Sequence, residues 1–307
     1  MKTLLHSLVY MLIRLMFLGL SLLPYWVSRA LCRICAVFIW KIDSKHRRIG
    51  MVNLSFAFPG VPLSWHADVL RRSFYQLGDL AVEVARLPRI RREEVISRVT
   101  YEVDRGLENY LVAKQDGRGL LFVTAHIGAW ELLPAAHAAR GYPLSFLVRE
   151  FDNPFLNNWS RQIRHKFGND TLNKRDSVRQ VLRILKKGGD VGFLLDQNVQ
   201  DREAVYVSFF GREAATSPSV AALAIQSGAP IVTGFMLPTN RAGHYKIRFY
   251  PPLHAKPGID KDKEIARLTL AINERIEEVI CEFPHCWLWG HRRFRTQSDG
   301  TNPYNNS

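Results

Sequence analysis

The apolar positions of this chain fall into two regimes. Residues 8–26 form an almost unbroken apolar run with one charge, Arg14, and one break, Pro24. Such a run is long enough to span a bilayer if Arg14 snorkels to one surface. Residues 34–40, after Arg33, are a second apolar stretch, too short to span, which reads as interfacial. Beyond residue 60 the apolar positions become periodic. Val69, Phe74, Leu77, Leu80 and Val84 recur at helical spacing, with Ser64 available as a cap and Pro88 as a stop, which predicts a helix over 64–87. Asp104 is placed to cap a second helix that Asp116-Gly117 breaks. Short apolar runs then alternate with helical patterns. Strands are expected at 120–125, 144–148, 191–195, 205–210, 230–236 and 245–250. Helices are expected at 130–139, 153–167, 177–187, 217–228 and 261–283, most of them closed by Gly or Pro. This alternation predicts an α/β fold with a mostly parallel central sheet flanked by helices, behind an N-terminal membrane-anchoring helix. The last residues, 297–307, are polar and expected to fray.

Charge sharpens the picture. Forty-two Lys and Arg against 28 Asp and Glu leave a net charge of +14. That surplus calls for an anionic partner. Basic clusters stand at Lys45-His-Arg-Arg48, at 89–92 and at His291-Arg-Arg-Phe-Arg295, but no nucleic-acid-binding signature accompanies them, so no nucleic acid is expected. An anionic membrane surface fits better. Positive residues (Arg29, Arg33, Lys41, Lys45, Arg47, Arg48) gather after the apolar run, and only Lys2 precedes it. By the positive-inside rule the body of the protein lies in the cytoplasm. The four cysteines, Cys32, Cys35, Cys281 and Cys286, read as reduced, packed thiols rather than a zinc site.

One segment carries candidate chemistry. Leu120-Leu-Phe-Val-Thr-Ala-His126-Ile-Gly-Ala-Trp-Glu131 is an apolar strand ending at a histidine, with a carboxylate five residues later where a helix should begin. Ligands in such sheets bind beyond the carboxyl ends of the strands, where His126 falls. An imidazole with an orienting acid is what activating a hydroxyl requires. His165 and Asp170 share the spacing, but they lie in a polar helical stretch and read as surface residues. The plainer alternative for His126 is a histidine that only satisfies hydrogen bonds at a strand end. No Gly-x-Ser-x-Gly elbow, Walker loop or dinucleotide fingerprint appears. Without a positioned Ser or Cys nucleophile, direct attack by a bound acceptor is favoured, with His126 as general base and Glu131 fixing its tautomer. Backbone N–H groups near Ile127 and Gly128, at an expected helix N-terminus, are a geometric guess for an oxyanion site. Arg149 ends the next strand at the same edge, and Arg161 and Arg164 lie three apart on the following helix. These arginines bind an anion or serve only surface charge and ion pairing. Asp196 ends the 191–195 strand, as a supporting acid or a structural cap.

These blocks together resemble the bacterial lipid A late acyltransferases of the lauroyl/myristoyl type, within the lysophospholipid acyltransferase superfamily. The residues that carry the resemblance run from about 47 to 296. They are Arg47 with Asn53-Leu-x-x-Ala57-Phe-Pro59; Thr124-Ala-His126-x-x-x-x-Glu131; Val148-Arg149 with Asn153-Pro154; and Arg164 with Phe167-Gly168. Further on come Asp196-Gln197, Phe209-Phe-Gly211 with Thr216, and Trp287-Leu-Trp289-x-His291-Arg-Arg-Phe294. The resemblance implies transfer of a fatty acyl group from an acyl-carrier-protein or CoA thioester to a hydroxyl of a lipid A precursor, at the cytoplasmic face of the bacterial inner membrane. It implies His126 and Glu131 as the catalytic pair and matches family arginines at Arg149 and Arg164. It leaves the role of Asp196-Gln197 open, and Asp196 is taken with the two arginines as a candidate substrate-binding position, while no metal site or bound cofactor is evident in the sequence. The 197–202 segment departs from the family pattern, and another glycolipid or aminolipid acceptor is the alternative. A non-catalytic membrane scaffold is a further one, which the intact His126/Glu131 pair disfavours. The expected organisation is an anchor over 1–42, a catalytic domain over 43–296 and a polar tail over 297–307. The Trp287/Trp289 pair with Arg292 and Arg293 forms either an interfacial patch or core packing.

Overall fold

The computed structural model describes residues 2–148, 150–172 and 177–305. Helix α1 (Lys2–Leu22) has mean hydropathy 1.7 over its most apolar window, buries none of its residues, and is long and apolar enough to cross a membrane. Pro24 separates it from α2 (Tyr25–Ile42). The stretch read as a short interfacial segment is therefore part of an 18-residue helix. Helix α3 (Ser44–Ala57) follows, with the Asp43 side chain accepting from the His46 N–H. Helix α4 (Leu63–Arg86) begins one residue before the expected cap, directly after Pro62.

The contact between α2 and α4 explains why α2 is half covered. Ser28, Cys32 and Ala36, four apart, are the buried positions of α2, and Cys32 and Ala36 lie against Gly78 of α4. Gly78 of α4 lies so close that a Cβ there would sit 3.0 Å from the Cys32 carbonyl oxygen. Small residues on both sides let the helices approach, and Arg29 and Arg33 of α2 both reach Asp79. The opposite face of α2 leaves Trp26, Ile34 and Phe38 exposed.

The chain then runs through α5 (Arg92–Arg98), β1 (Val99–Tyr101) and α6 (Leu107–Lys114). Asp104 does not cap α6. It sits in the left-handed region (φ 63°), and Gly106 precedes the helix. Next come β2 (Leu121–Thr124), α7 (Leu133–Ala139), β3 (Leu144–Leu147), α8 (Pro154–Arg164), β4 (Asp170–Leu172), α9 (Ser177–Lys186) and β5 (Asp190–Leu194). The rest is β6 (Val205–Phe209), β7 (Arg212–Thr216), α10 (Ser219–Ser227), β8 (Ile231–Pro238), β9 (Tyr245–Phe249) and α11 (Lys261–Glu282).

Among the described residues the strands form a seven-stranded sheet in the order β1-β9-β8-β2-β5-β3-β4. Its pairs are parallel except β8 with β9. This is the expected α/β architecture. Strand β2 lies inside the sheet with both faces covered, which is why it reads as a continuous apolar run. Leu121 and Val123 join one core with Val220, Ile272 and Trp287, while Leu120 and Phe122 join the other with Leu133, Ala136 and Tyr110. Strands β6 and β7 form a separate hairpin. Its two-residue turn, Phe210-Gly211, has positive φ at both positions (53° and 71°), the primed geometry that matches strand twist.

The C-terminal segment is not a frayed tail. Tyr304 is buried; its hydroxyl donates to Asn53 Oδ1 and accepts from the Phe294 N–H. Two of the amide hydrogens of Asn53 go to the Trp289 and His291 carbonyls, both at 2.7 Å. One buried side chain thus ties α3 to residues 289–304.

Candidate active site

The register of the sheet brings the central pair together. Strands β2 and β5 are parallel neighbours with Thr124 opposite Leu194. Each chain continues two residues past that point, to His126 and to Asp196. His126 Nδ1 donates to Asp196 Oδ1 at 2.8 Å, and the His126 backbone N–H donates to Oδ2 at 3.0 Å. The Trp287 indole N–H also donates to Oδ2, at 2.9 Å. Asp196 is only 3% exposed, so its charge is compensated by these three donors rather than by water.

The electrostatics follow from that geometry. Burial alone would raise the Asp196 pKa, but the His126 ring and the donated hydrogen bonds hold it down, to about 2. Burial alone would depress His126, but the charge and hydrogen bond of Asp196, with a smaller contribution from Glu131, raise it above the usual histidine value. With Nδ1–H committed to the carboxylate, Nε2 carries the lone pair. The side-chain nitrogen of Gln197 stands 3.4 Å from Nε2, and Trp130 lies edge-on to the imidazole with ring centroids 5.3 Å apart.

Three sequence expectations are corrected here. Asp196, not Glu131, holds His126 Nδ1; helix α7 starts at Leu133, three residues later than expected, and Glu131 lies in the turn before it. Asp196 is the partner of the histidine rather than a substrate-facing group, because both of its oxygens are occupied inside the protein. Gly128 is not an oxyanion donor. Its N–H donates to the Cys286 carbonyl at 2.9 Å, that of Ile127 to Ala125, and that of Ala129 to Met236. Gly128 has φ 61°, and a Cβ there would fall 2.1 Å from the Met236 oxygen, so glycine is required by packing.

Glu131 and Arg164 lie instead between two adjoining apolar cavities. The first, about 260 Å³, is walled by Phe122, Leu144, Phe146, Gly192 and Phe193 of the sheet and by Leu133. The second, about 420 Å³, is walled by Ile13 and Phe17 of α1, Leu80 and Val84 of α4, and Trp159 of α8. Trp130, Glu131, Pro134, Phe146 and Arg164 line both. His126 lines neither, but Trp130, edge-on to its ring, lines both. Arg164 donates to Ser160 Oγ at 2.6 Å and also faces a small polar cavity with Arg161, Glu150 and Thr171. Arg149 lies outside the described residues.

The Trp287–Phe294 block packs as core, not as an interfacial patch. Trp289 is fully buried with its indole N–H on the Pro284 carbonyl. Arg293, also fully buried, donates to Ala215 O and Thr216 Oγ1 from its two terminal nitrogens. His291 Nε2 accepts from the Asn198 N–H, and the Leu288 N–H donates to the His126 carbonyl. The block is the wall behind the His126–Asp196 pair. Among the described residues no cluster of His, Cys, Asp and Glu could hold a metal, and the four cysteines are unpaired.

The features that converge here are spread along the chain, and so is its likeness to known proteins. The model of the bacterial lipid A biosynthesis acyltransferase family matches residues 1–296. A lipid A biosynthesis acyltransferase of Haemophilus influenzae is 23% identical, over 93% of this chain and 87% of its own length. The lipid A biosynthesis palmitoleoyltransferase of Escherichia coli is 25% identical, over 93% and 92%. The lauroyltransferase of the same organism is 26% identical, over 81% and 78%. With a family match that takes in the apolar helix, the His126 strand and the Trp287 wall alike, this chain belongs to the bacterial lipid A biosynthesis acyltransferases.

Proposed function

We propose that the protein moves a fatty acyl chain from a thioester, carried by acyl carrier protein or coenzyme A, to a hydroxyl of a lipid A precursor, as a secondary acylation. His126 Nε2 takes the proton of the acceptor hydroxyl while that oxygen attacks the thioester carbonyl. The tetrahedral intermediate collapses with cleavage of the C–S bond, and the imidazolium returns the proton to the leaving thiolate. Asp196 fixes the tautomer that leaves Nε2 free and stabilises the imidazolium between the two steps. Glu131 adds negative charge from the cavity side. The Gln197 side-chain amide, beside Nε2, is the donor placed to receive the oxyanion.

The observation that carries this reading is the buried His126–Asp196 pair beside two adjoining apolar cavities. Two lipids meet in the reaction, and two cavities suit them. The first, walled by strands of the sheet, suits the donor acyl chain. The second, walled by α1, suits the hydrocarbon of a membrane-held acceptor. A covalent cysteine route is disfavoured, because the nearby Cys286 thiol is buried and pushed up to about 12. We place the catalytic body on the cytoplasmic face of the inner membrane, supported by the basic residues that follow α1.

The test is mass spectrometry of glycolipids from cells lacking the gene, complemented by the wild type or by His126→Ala. Loss of one acyl chain from lipid A, restored by the wild type alone, is the expected result. Unchanged lipid A would sink the acceptor assignment, and restoration by His126→Ala would sink the general-base role.

A further inference from the structure

A polar cavity of about 520 Å³ lies between α2, α4, the β8–β9 turn and the segment after α11. It is lined by Arg29, Arg33, Arg72 and Arg241, and Asp79 is the one carboxylate on its wall. Asp79 is saturated. Arg29 and Arg33 each approach it side-on through Nε and one terminal nitrogen, at 2.7–3.1 Å. Two guanidinium groups are thereby held in place by one carboxylate, each with its other terminal nitrogen uncommitted to Asp79. Among the described residues no second carboxylate lines the cavity to offset the positive charge left over. Among the described residues the ion pair of Arg72 is a 3.9 Å contact with the exposed Asp68. The Arg241 guanidinium has no partner among the described residues, although its backbone is held: its N–H donates to Thr239 Oγ1 and its carbonyl accepts from the His244 N–H.

The position of this cavity fits a lipid headgroup. Helix α2, which supplies Arg29 and Arg33, also leaves Trp26, Ile34 and Phe38 exposed, apolar side chains flanking the cationic ones, an arrangement suited to the level of headgroups. The cavity also opens at the edge of the sheet that carries His126. Met236, two residues before the end of β8, bridges to Gly128. His285, on the cavity wall, precedes Cys286, whose carbonyl accepts from Gly128. Preset guanidinium groups in a partly enclosed site bind phosphate by charge-assisted, often bidentate, hydrogen bonds.

We propose that this cavity binds the phosphate of a lipid headgroup at the membrane surface. The site is separate from the two apolar cavities. Its use by the acceptor, rather than by a bilayer phospholipid, rests on the function proposed above. The probe is dihexanoyl phosphatidic acid, a monomeric lipid phosphate, titrated by calorimetry onto the full-length protein in detergent. Dihexanoyl phosphatidylcholine serves as control. The variant is Arg72→Gln/Arg241→Gln, which leaves the Arg29–Asp79–Arg33 cluster and the catalytic pair untouched.

Phosphatidic acid is expected to bind the wild type, with affinity falling about tenfold or more in the variant as two charge-assisted contacts are lost. Unchanged affinity in the variant, or equal binding of phosphatidylcholine, would overturn the proposal. Transfer assays then name the source. A KM for phosphorylated acceptor raised in the variant, but not for phosphatase-treated acceptor, assigns the site to the acceptor. An unchanged KM alongside lost phosphatidic acid binding assigns it to bilayer phospholipid. Absence of transfer by the wild type would remove the acyltransfer reading and leave the binding result standing.

Discussion

Asp196 grips His126 twice, through the ring nitrogen Nδ1 and through the main-chain N–H of the same residue. A carboxylate that holds both the ring and the backbone leaves the imidazole one orientation, with Nε2 outward. The Trp287 indole holds the carboxylate in turn. The pair is therefore preorganised, and the consequences can be measured.

Asp196→Asn should cost more than any other single change except loss of His126. The amide nearly preserves shape but removes the charge, and it can donate to Nδ1, which favours the wrong tautomer. A fall in kcat of about 10²- to 10⁴-fold is expected, with donor KM little changed. Steady-state kinetics in detergent would show it. A loss below tenfold would remove Asp196 from the mechanism.

The pH profile should carry the same signature. The active form has a neutral imidazole, so kcat falls as pH drops through the His126 pKa. Asp196 raises that pKa, so the acid limb should lie above the ordinary histidine value of about 6.5. In Asp196→Asn the limb should move to lower pH, since burial then acts with less opposition. A limb that stays in place when Asp196 is changed would mean that another group titrates.

Glu131→Gln should lower kcat less than Asp196→Asn does. Glu131 acts on His126 through charge, without holding Nδ1, so a loss of about 10- to 100-fold is expected, together with a smaller downward shift of the acid limb. Comparing the two variants in one assay tests this. If Glu131→Gln proved the more damaging, the orienting role would return to Glu131.

Gly192→Leu should shorten the preferred acyl chain. Gly192 lines the first cavity, and a Cβ there would meet Phe146 and Leu144 at 3.5 and 3.9 Å, ordinary contact distances. A larger side chain would take up cavity space with little strain at its root. Competition between donors of different length, read by product mass, reports the shift. An unchanged ratio would place the donor chain in the cavity walled by α1.

Asn53→Ala tests the architecture behind the site. It removes donors to the Trp289 and His291 carbonyls and the acceptor for Tyr304. A cost of about 2–4 kcal/mol is expected, because buried groups are left unpaired. Thermal unfolding in detergent should show a clear drop. An unchanged midpoint would mean that water takes over these bonds.

Much of the fold was legible in the chain because it is local. The apolar run that becomes α1, the alternation that becomes β2, β3, β5, β8 and β9, and the Gly and Pro stops are each written within about twenty residues. Shorter pieces were not. Strands β1 and β4 are three residues long and carry no readable period. The Arg212–Thr216 strand of the hairpin has a composition that suits a helix as well. In the site, His126 was legible from its place at the end of an apolar strand, and Arg161 and Arg164 from their spacing. One signal for Asp196 was present, since it too follows a parallel strand at the same edge, but spacing along the chain favoured Glu131.

What the sequence by itself determined is therefore the longer elements, a first helix long and apolar enough to cross a membrane, and the histidine at the end of its strand. What only the tertiary structure decided is which acid holds that histidine, where the two apolar cavities meet, and which arginines converge on one basic cavity. The physical reason is pairing at a distance. Periodicity records which face of an element is buried, whereas the contact between His126 and Asp196, seventy residues apart, is set by the register of two parallel strands.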